Sequence, residues 1–135
     1  MAGYSPRSLV DKLGIKPGTP VAILSAPTGF KATLGALPPG VTVATAARGP
    51  QSFVHLFTKT RADLAKRLPA LNKALRDDGM LWVSWPKQSS GVATDVTEDT
   101  VREVALPLGL VDVKVCAVDD TWSGLKLVRR VVNRK

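Results

Sequence analysis

Three short runs carry the side chains and backbone groups able to recognise a ligand: Ser25-Ala26-Pro27-Thr28-Gly29, Trp85-Pro86-Lys87-Gln88-Ser89-Ser90-Gly91 and Asp119-Asp120-Thr121-Trp122-Ser123-Gly124. Lys87 brings a cation. Backbone N–H groups around Ser90 and Gly91, and around Thr28 and Gly29, are of the kind that cradle an anion in a concave loop. Asp119 and Asp120 are placed to hold a cation or to accept from a ligand hydroxyl or amine. Trp122 and Ser123 add an aromatic wall beside a hydroxyl. The candidate ligand-binding set is thus Thr28, Gly29, Lys87, Ser90, Gly91, Asp119, Asp120, Trp122 and Ser123. Lys59, Thr60 and Arg61 offer further donors after another apolar stretch. None of these runs has the spacing of a Walker loop or a dinucleotide fingerprint.

Each feature also has a plainer reading. Paired Asp residues at a loop tip commonly serve the turn itself. Trp85-Pro86 suits the end of a buried strand. His55 is the only histidine and sits mid-strand between Val54 and Leu56. Buried polar groups find partners, so a packed, hydrogen-bonded side chain is expected there. Cys116, the only cysteine, lies in a valine-rich strand and reads as a small buried thiol. With one His and one Cys, the chain supports no disulfide, multi-Cys metal site or Ser/His/Asp set. No catalytic residue, metal or cofactor is assigned.

The elements that must position these runs follow from local pattern. Ser5-Pro6 reads as the start of a short helix that Gly14 ends. Strands are expected at about 21–25, 41–45, 53–57, 80–85, 111–118 and 125–132. Short and long helices are expected near 30–34 and 61–76, the latter with Leu64, Leu68, Leu71 and Leu75 on one stripe. Pro69 falls inside that stripe and is expected to kink or restart the helix. A further helix starts at Thr97. Strands alternating with helices indicate α/β, a single domain over 1–135, with a mostly parallel sheet closed by a C-terminal antiparallel strand. Only about seven residues join the second and third strands, too few for a helical crossover. That connection must therefore be an extended strap, or the second strand is not a regular parallel one.

Composition limits the alternatives. The chain has 135 residues, 44% hydrophobic and 22% charged, with formal net charge +8 from 19 Lys+Arg against 11 Asp+Glu. One core of ordinary size is expected. No long apolar run suits a bilayer and the N-terminus has no apolar leader segment, so the cytoplasm is the expected compartment. The basic residues are dispersed, with a cluster at Arg129, Arg130, Arg134 and Lys135. Weak, non-specific, salt-sensitive contact with nucleic acid is expected from such charge.

Leu13-Gly14-Ile15-Lys16-Pro17-Gly18 before an apolar strand, Asp78-Gly79-Met80-Leu81-Trp82-Val83 and the terminal strand pair resemble the class I methyltransferase fold, in a reduced, Rossmann-like form. The resemblance implies the strand order second, first, third, fourth, sixth, fifth, with one strand and its helix missing. That fold usually binds S-adenosylmethionine through a glycine-rich turn after an acidic first strand, and an acid ends the second strand. Here the turn has one glycine, and Ala44-Thr45-Ala46-Ala47-Arg48 has no acid. Across nearly its whole length the chain also resembles a family of small bacterial proteins known as a domain of unknown function. Lys12 to Gly18, Trp85 to Lys87, Ser90-Gly91, Thr97 to Asp99, Ala105 to Cys116 and Thr121 to Gly124 carry that likeness.

The expected function is a non-catalytic binding or regulatory module, with a small anionic ligand or a protein partner at the strand carboxyl ends. An atypical methyltransferase-like enzyme and a non-specific nucleic-acid binder are the alternatives, and an oligomer stays open. On the implied strand order Trp122 and Lys87 become neighbours. Trp122 is then expected to be partly exposed, with Lys87 facing it across a concavity and replaceable at little cost in stability.

Overall fold

A computed structural model describes residues 8–130. Six strands form one sheet in the order β2-β1-β3-β4-β6-β5: β1 (Pro20–Leu24), β2 (Thr42–Ala44), β3 (Gln51–Phe57), β4 (Leu75–Pro86), β5 (Leu110–Ala117) and β6 (Trp122–Arg129). The first four are parallel, and β6 runs antiparallel to both β4 and β5. This is the mostly parallel, reduced methyltransferase-like sheet that the sequence implied.

Helices cover both faces. On one, α1 (Leu9–Leu13) and α2 (Phe30–Leu34) pack Val10, Leu13, Phe30 and Leu34 against Val21, Ile23, Phe53, Phe57 and Trp82. On the other, α3 (Arg61–Ala74) and α4 (Glu98–Ala105) pack Leu64, Leu68, Leu71, Val101 and Ala105 against Ala22, Val54, Leu56, Leu81 and Leu125. Strands buried on both faces read as continuous apolar runs, which is why β1 and the middle of β4 show no alternation. Trp82 is fully buried and donates Nε1–H to Leu13 O at 2.9 Å, tying α1 to the centre of the sheet.

The caps follow sequence chemistry. Ser8 Oγ accepts from Asp11 N at 3.2 Å and opens α1, while Gly14 at φ 82 closes it. The expected start at Ser5-Pro6 lies outside the described residues, as do Arg134 and Lys135. Thr97 and Thr100 form a reciprocal capping box on α4. Pro69 sits inside α3, which continues as one helix. The carbonyl that Pro69 leaves without its usual donor belongs to Ala65, an exposed residue, so water can satisfy it. Burial of Leu64, Leu68 and Leu71 on either side holds the helix together.

The strap expected between the second and third strands is present. Residues 45–50 cross from β2 past β1 without a helix, and Ala47 packs against the α3–α4 core.

Strand β4 begins earlier than expected. The pairing with β3 jumps from Gln51–Leu75 to Phe53–Met80, so the segment Arg76 to Gly79 bulges within the strand. Gly79 permits the bulge. A Cβ there would lie 2.8 Å from Leu75 Cδ1 and 3.0 Å from Gln51 O. Arg129 fixes the segment from β6, donating to Asp77 Oδ1 at 2.7 Å and to Asn72 O at 2.6 Å. Gly79→Ala should therefore destabilise the fold by about 1–3 kcal/mol, read as a lower urea midpoint with an unchanged m-value.

Candidate functional site

The chain reverses its winding direction between β1 and β3. β1 leads outward through α2 to β2, and β3 leads the other way through α3 to β4, with the two helices on opposite faces. In open α/β sheets the strand ends separate at such a point and leave a crevice. Here the crevice has a volume of 360 Å³ and is lined by Ser25 at the end of β1, Phe57 to Thr60 at the end of β3, Asp63 and Arg67 on α3, and Trp122.

Its polar groups form a chain. Arg67 Nη1 donates to Ser25 Oγ at 2.8 Å and lies 3.6 Å from Asp63 Oδ2. Thr58 Oγ1 donates to the same carboxylate at 2.7 Å. Ser25 holds φ 59, the one positive-φ residue other than glycine among the described residues. A non-glycine in this region is strained, and such strain is concentrated at functional turns. Lys59 is exposed at the rim, and no described acid pairs with its ammonium group. Two of the first N–H groups of α3 are already taken: Asp63 N donates to Thr60 Oγ1 and Arg61 N to Asp95 Oδ1. The cationic side chains are the main groups the crevice offers a ligand.

The floor is aromatic. Phe57 stacks on His55 at 4.2 Å and meets Phe30 and Trp122 edge-on at 4.7 and 5.1 Å. His55 Nε2 is 2.7 Å from Ser84 Oγ, which is the packed, hydrogen-bonded histidine the sequence suggested; Nδ1 has no hydrogen-bond partner. Burial removes the solvation that the charged ring needs and pushes the imidazole down to about 3.

The structure redistributes the sequence-derived candidates. Lys87 does come close to the turn before Trp122, but it is not directed at the Trp ring across a concavity. Its Nζ donates to Asp119 O at 2.8 Å and its N–H to Thr121 O at 2.7 Å. Trp122 is 6% exposed, not open, because its ring closes the apolar face under Phe57. Asp119 serves its own turn, with Oδ1 accepting from Thr121 N and Trp122 N. Ser90 Oγ donates to Lys87 O and accepts from Val92 N, and Gly91 caps the same turn at φ 79. Ser123 pairs within the β-ladder opposite Trp85 and Ala117, and Asp120 is exposed at the turn. Gly29, at φ 86, starts α2 beside exposed Thr28. Of the nine candidates only Trp122 lines the crevice.

Asp63 and Arg67 escaped the sequence reading. Their spacing of four on a helix was a signal, and both follow the Lys59-Thr60-Arg61 run already noted. Among the described residues no group of three His, Cys, Asp or Glu is placed to hold a metal ion, and no helix is long and apolar enough to cross a membrane.

Residues 52–131 match the family model described as "Protein of unknown function (DUF3052)". The chain belongs to this family. No curated protein matches the chain. Solved structures show the fold. A putative type 11 methyltransferase from Sulfolobus solfataricus has TM-score 0.62 at 13% identity, covering 94% of this chain and 92% of its own. Magnesium protoporphyrin IX methyltransferase from Synechocystis PCC 6803, solved with bound SAH, has TM-score 0.62 at 14% identity, covering 90% and 78%. A ribosomal protein L11 methylase from Lactobacillus delbrueckii subsp. bulgaricus has TM-score 0.59 at 12% identity, covering 90% and 75%. At these identities the likeness concerns the fold alone.

The residues of this DUF3052 chain do not fit S-adenosylmethionine in the fold's usual pose. Strand β2 runs into Thr45-Ala46-Ala47-Arg48, so no carboxylate is available there for ribose hydroxyls. Among the described residues lining the crevice the one carboxylate, Asp63, is engaged by Thr58 and Arg67.

The unfolded chain protonates His55 below its ordinary value of 6.5, the folded protein only below about 3. Between those values the unfolded state binds the extra proton, so stability falls as pH falls, by roughly 1.4 kcal/mol per unit from this group. Denaturant titrations of wild type and His55→Phe between pH 6.5 and 5 should show this slope only in the wild type. Lys87→Ala should cost about 1–2 kcal/mol, because the turn carbonyl of Asp119 loses a charged donor; thermal melts read the difference.

Proposed function

We propose that this DUF3052 chain is a non-catalytic binding or regulatory module that takes a small anionic ligand in the crevice between β1 and β3. One observation carries the reading: two cations, Arg67 and Lys59, line an open cleft at the switch point against one described carboxylate, Asp63, which Thr58 and Arg67 hold. A ligand carboxylate or phosphate would meet the guanidinium and the ammonium, with the hydroxyls of Ser25 and Thr60 beside them. Charge-assisted hydrogen bonds of this kind are the strong ones. The groups that serve elsewhere as nucleophile or base are withdrawn, since His55 and Cys116 are buried. The proposed site thus replaces most of the sequence-derived set: Lys87, Ser90, Gly91 and Asp119 act as the scaffold of the neighbouring turns.

An atypical methyltransferase is the second reading, favoured by the structural neighbours, and non-specific nucleic-acid contact is the third, favoured by the net charge of +8. Titration of the labelled protein with phosphate, citrate and AMP, followed by NMR, separates them. Saturable shifts at Ser25, Thr58 to Thr60 and Arg67 are expected for at least one probe, and Arg67→Met should weaken that binding about tenfold while leaving the melting temperature within a few degrees. Calorimetry showing low-micromolar affinity for S-adenosylmethionine would sink the reading. Binding to mixed duplex DNA should fall steeply with salt and vary little with sequence. One duplex held at physiological salt against excess competitor would favour the third reading instead.

A further inference from the structure

A second, larger cavity opens on the same sheet edge and has the opposite character. It has a volume of 690 Å³ and lies between α2, the segment after it and β2. Ile23, Phe30, Leu34, Leu37 and Val43 form its walls. Among the described residues Lys31 is the only charged one lining it; it is exposed and has no described acid bonded to its ammonium group. Val43 is 49% exposed, although it is a valine on a strand. The cavity shares no lining residue with the crevice. Its size is that of a small-molecule site, and such sites combine apolar walls with few polar groups that fix orientation.

Charge selects the occupant. A single cation beside apolar walls, with no carboxylate in the lining, favours a ligand bearing one negative charge and disfavours a cation of the same shape. We infer that this chamber binds a small monocarboxylate with an apolar body, its tail among Phe30, Leu34 and Val43 and its carboxylate on Lys31. The site stands independently of the crevice. A nucleoside cofactor would set its ribose hydroxyls against walls in which Thr45 is the one hydroxyl side chain and no described carboxylate is present, whereas an alkyl or single-ring acid carries its polarity in one group that Lys31 can meet.

Decanoate, decanol and decylammonium, each titrated into isotopically labelled protein, test this by NMR, with light scattering at each protein concentration. Decanoate should give saturable shifts at Ile23, Phe30 to Leu37 and Val43, decanol weaker ones and decylammonium none. Lys31→Glu should weaken decanoate by about tenfold and invert the preference towards decylammonium. Val43→Asp, at a half-exposed position, should remove decanoate binding while the spectrum stays that of the folded protein. Arg67→Met, which disables the crevice, should leave decanoate binding intact. Equal affinity for the three probes, or no saturable shift, would overturn the assignment. So would shifts confined to Ser25, Thr58 to Thr60 and Arg67. A concentration-dependent dimer that moves the chamber residues without any probe would overturn it too, by giving the chamber to a second copy of the chain.

Discussion

The parallel pairing of β1 with β3 governs what this protein can do. Ala22, Ile23 and Leu24 lie in register with Val54, His55 and Leu56. The ladder holds the strands together up to that point. Beyond it, the two chains must leave for opposite faces, since α2 and α3 cover opposite sides of the sheet. Ser25, turned to φ 59, and Arg67, reaching across from α3, are the two sides of this separation, linked by one hydrogen bond of 2.8 Å. The crevice is thus a consequence of topology. Its chemistry is a consequence of which residues happen to sit on the first two turns of α3.

Beneath it, the sheet is unusually committed to aromatic packing on one face. Phe30, His55, Phe57 and Trp122 form a continuous set of ring contacts from α2 to the start of β6. His55 belongs to this set as a ring first and an ionisable group second. Full burial keeps it neutral, while its ring stacks on Phe57 at 4.2 Å and its Nε2 lies 2.7 Å from Ser84 Oγ. Trp122 takes part in the same packing, which explains why a tryptophan in a Ser-Gly turn is buried. The turn before it is held from below by Lys87, so a cation that looked available in sequence is a strut in the structure.

Much of the fold was legible. The apolar runs at Val21 to Leu24 and Leu81 to Val83, the leucine stripe of α3 and the cap at Thr97 place their elements directly, and the resemblance supplied the strand order. The misjudged places share one cause: each depends on a partner distant in sequence. Pro69 stays within α3 because the sheet buries Leu68 and Leu71 on either side of it. The start of β4 is hidden because its bulge is stabilised from β6 by Arg129, more than fifty residues away. Arg67 enters the site only through Ser25, forty-two positions earlier. Asp119 and Ser90, by contrast, satisfy neighbours two or three residues away, and Asp119 makes the turn contacts its plainer reading expects.

The outer edge of the sheet combines a short exposed strand with an open apolar side. Strand β2 has only three residues, all exposed, and is the last strand on its side. The sequence resemblance implies one strand and its helix more than this sheet carries. At this edge Val43 keeps one apolar side open. The polypeptide leaving β2 becomes a strap of Thr, Ala, Arg, Gly and Pro, whose job is to cross β1 and pin Ala47 to the opposite core. A chain under that constraint favours small and apolar residues over a carboxylate aimed at the strand ends. The missing acid after β2 and the open apolar wall at Val43 thus lie on the same edge of the sheet.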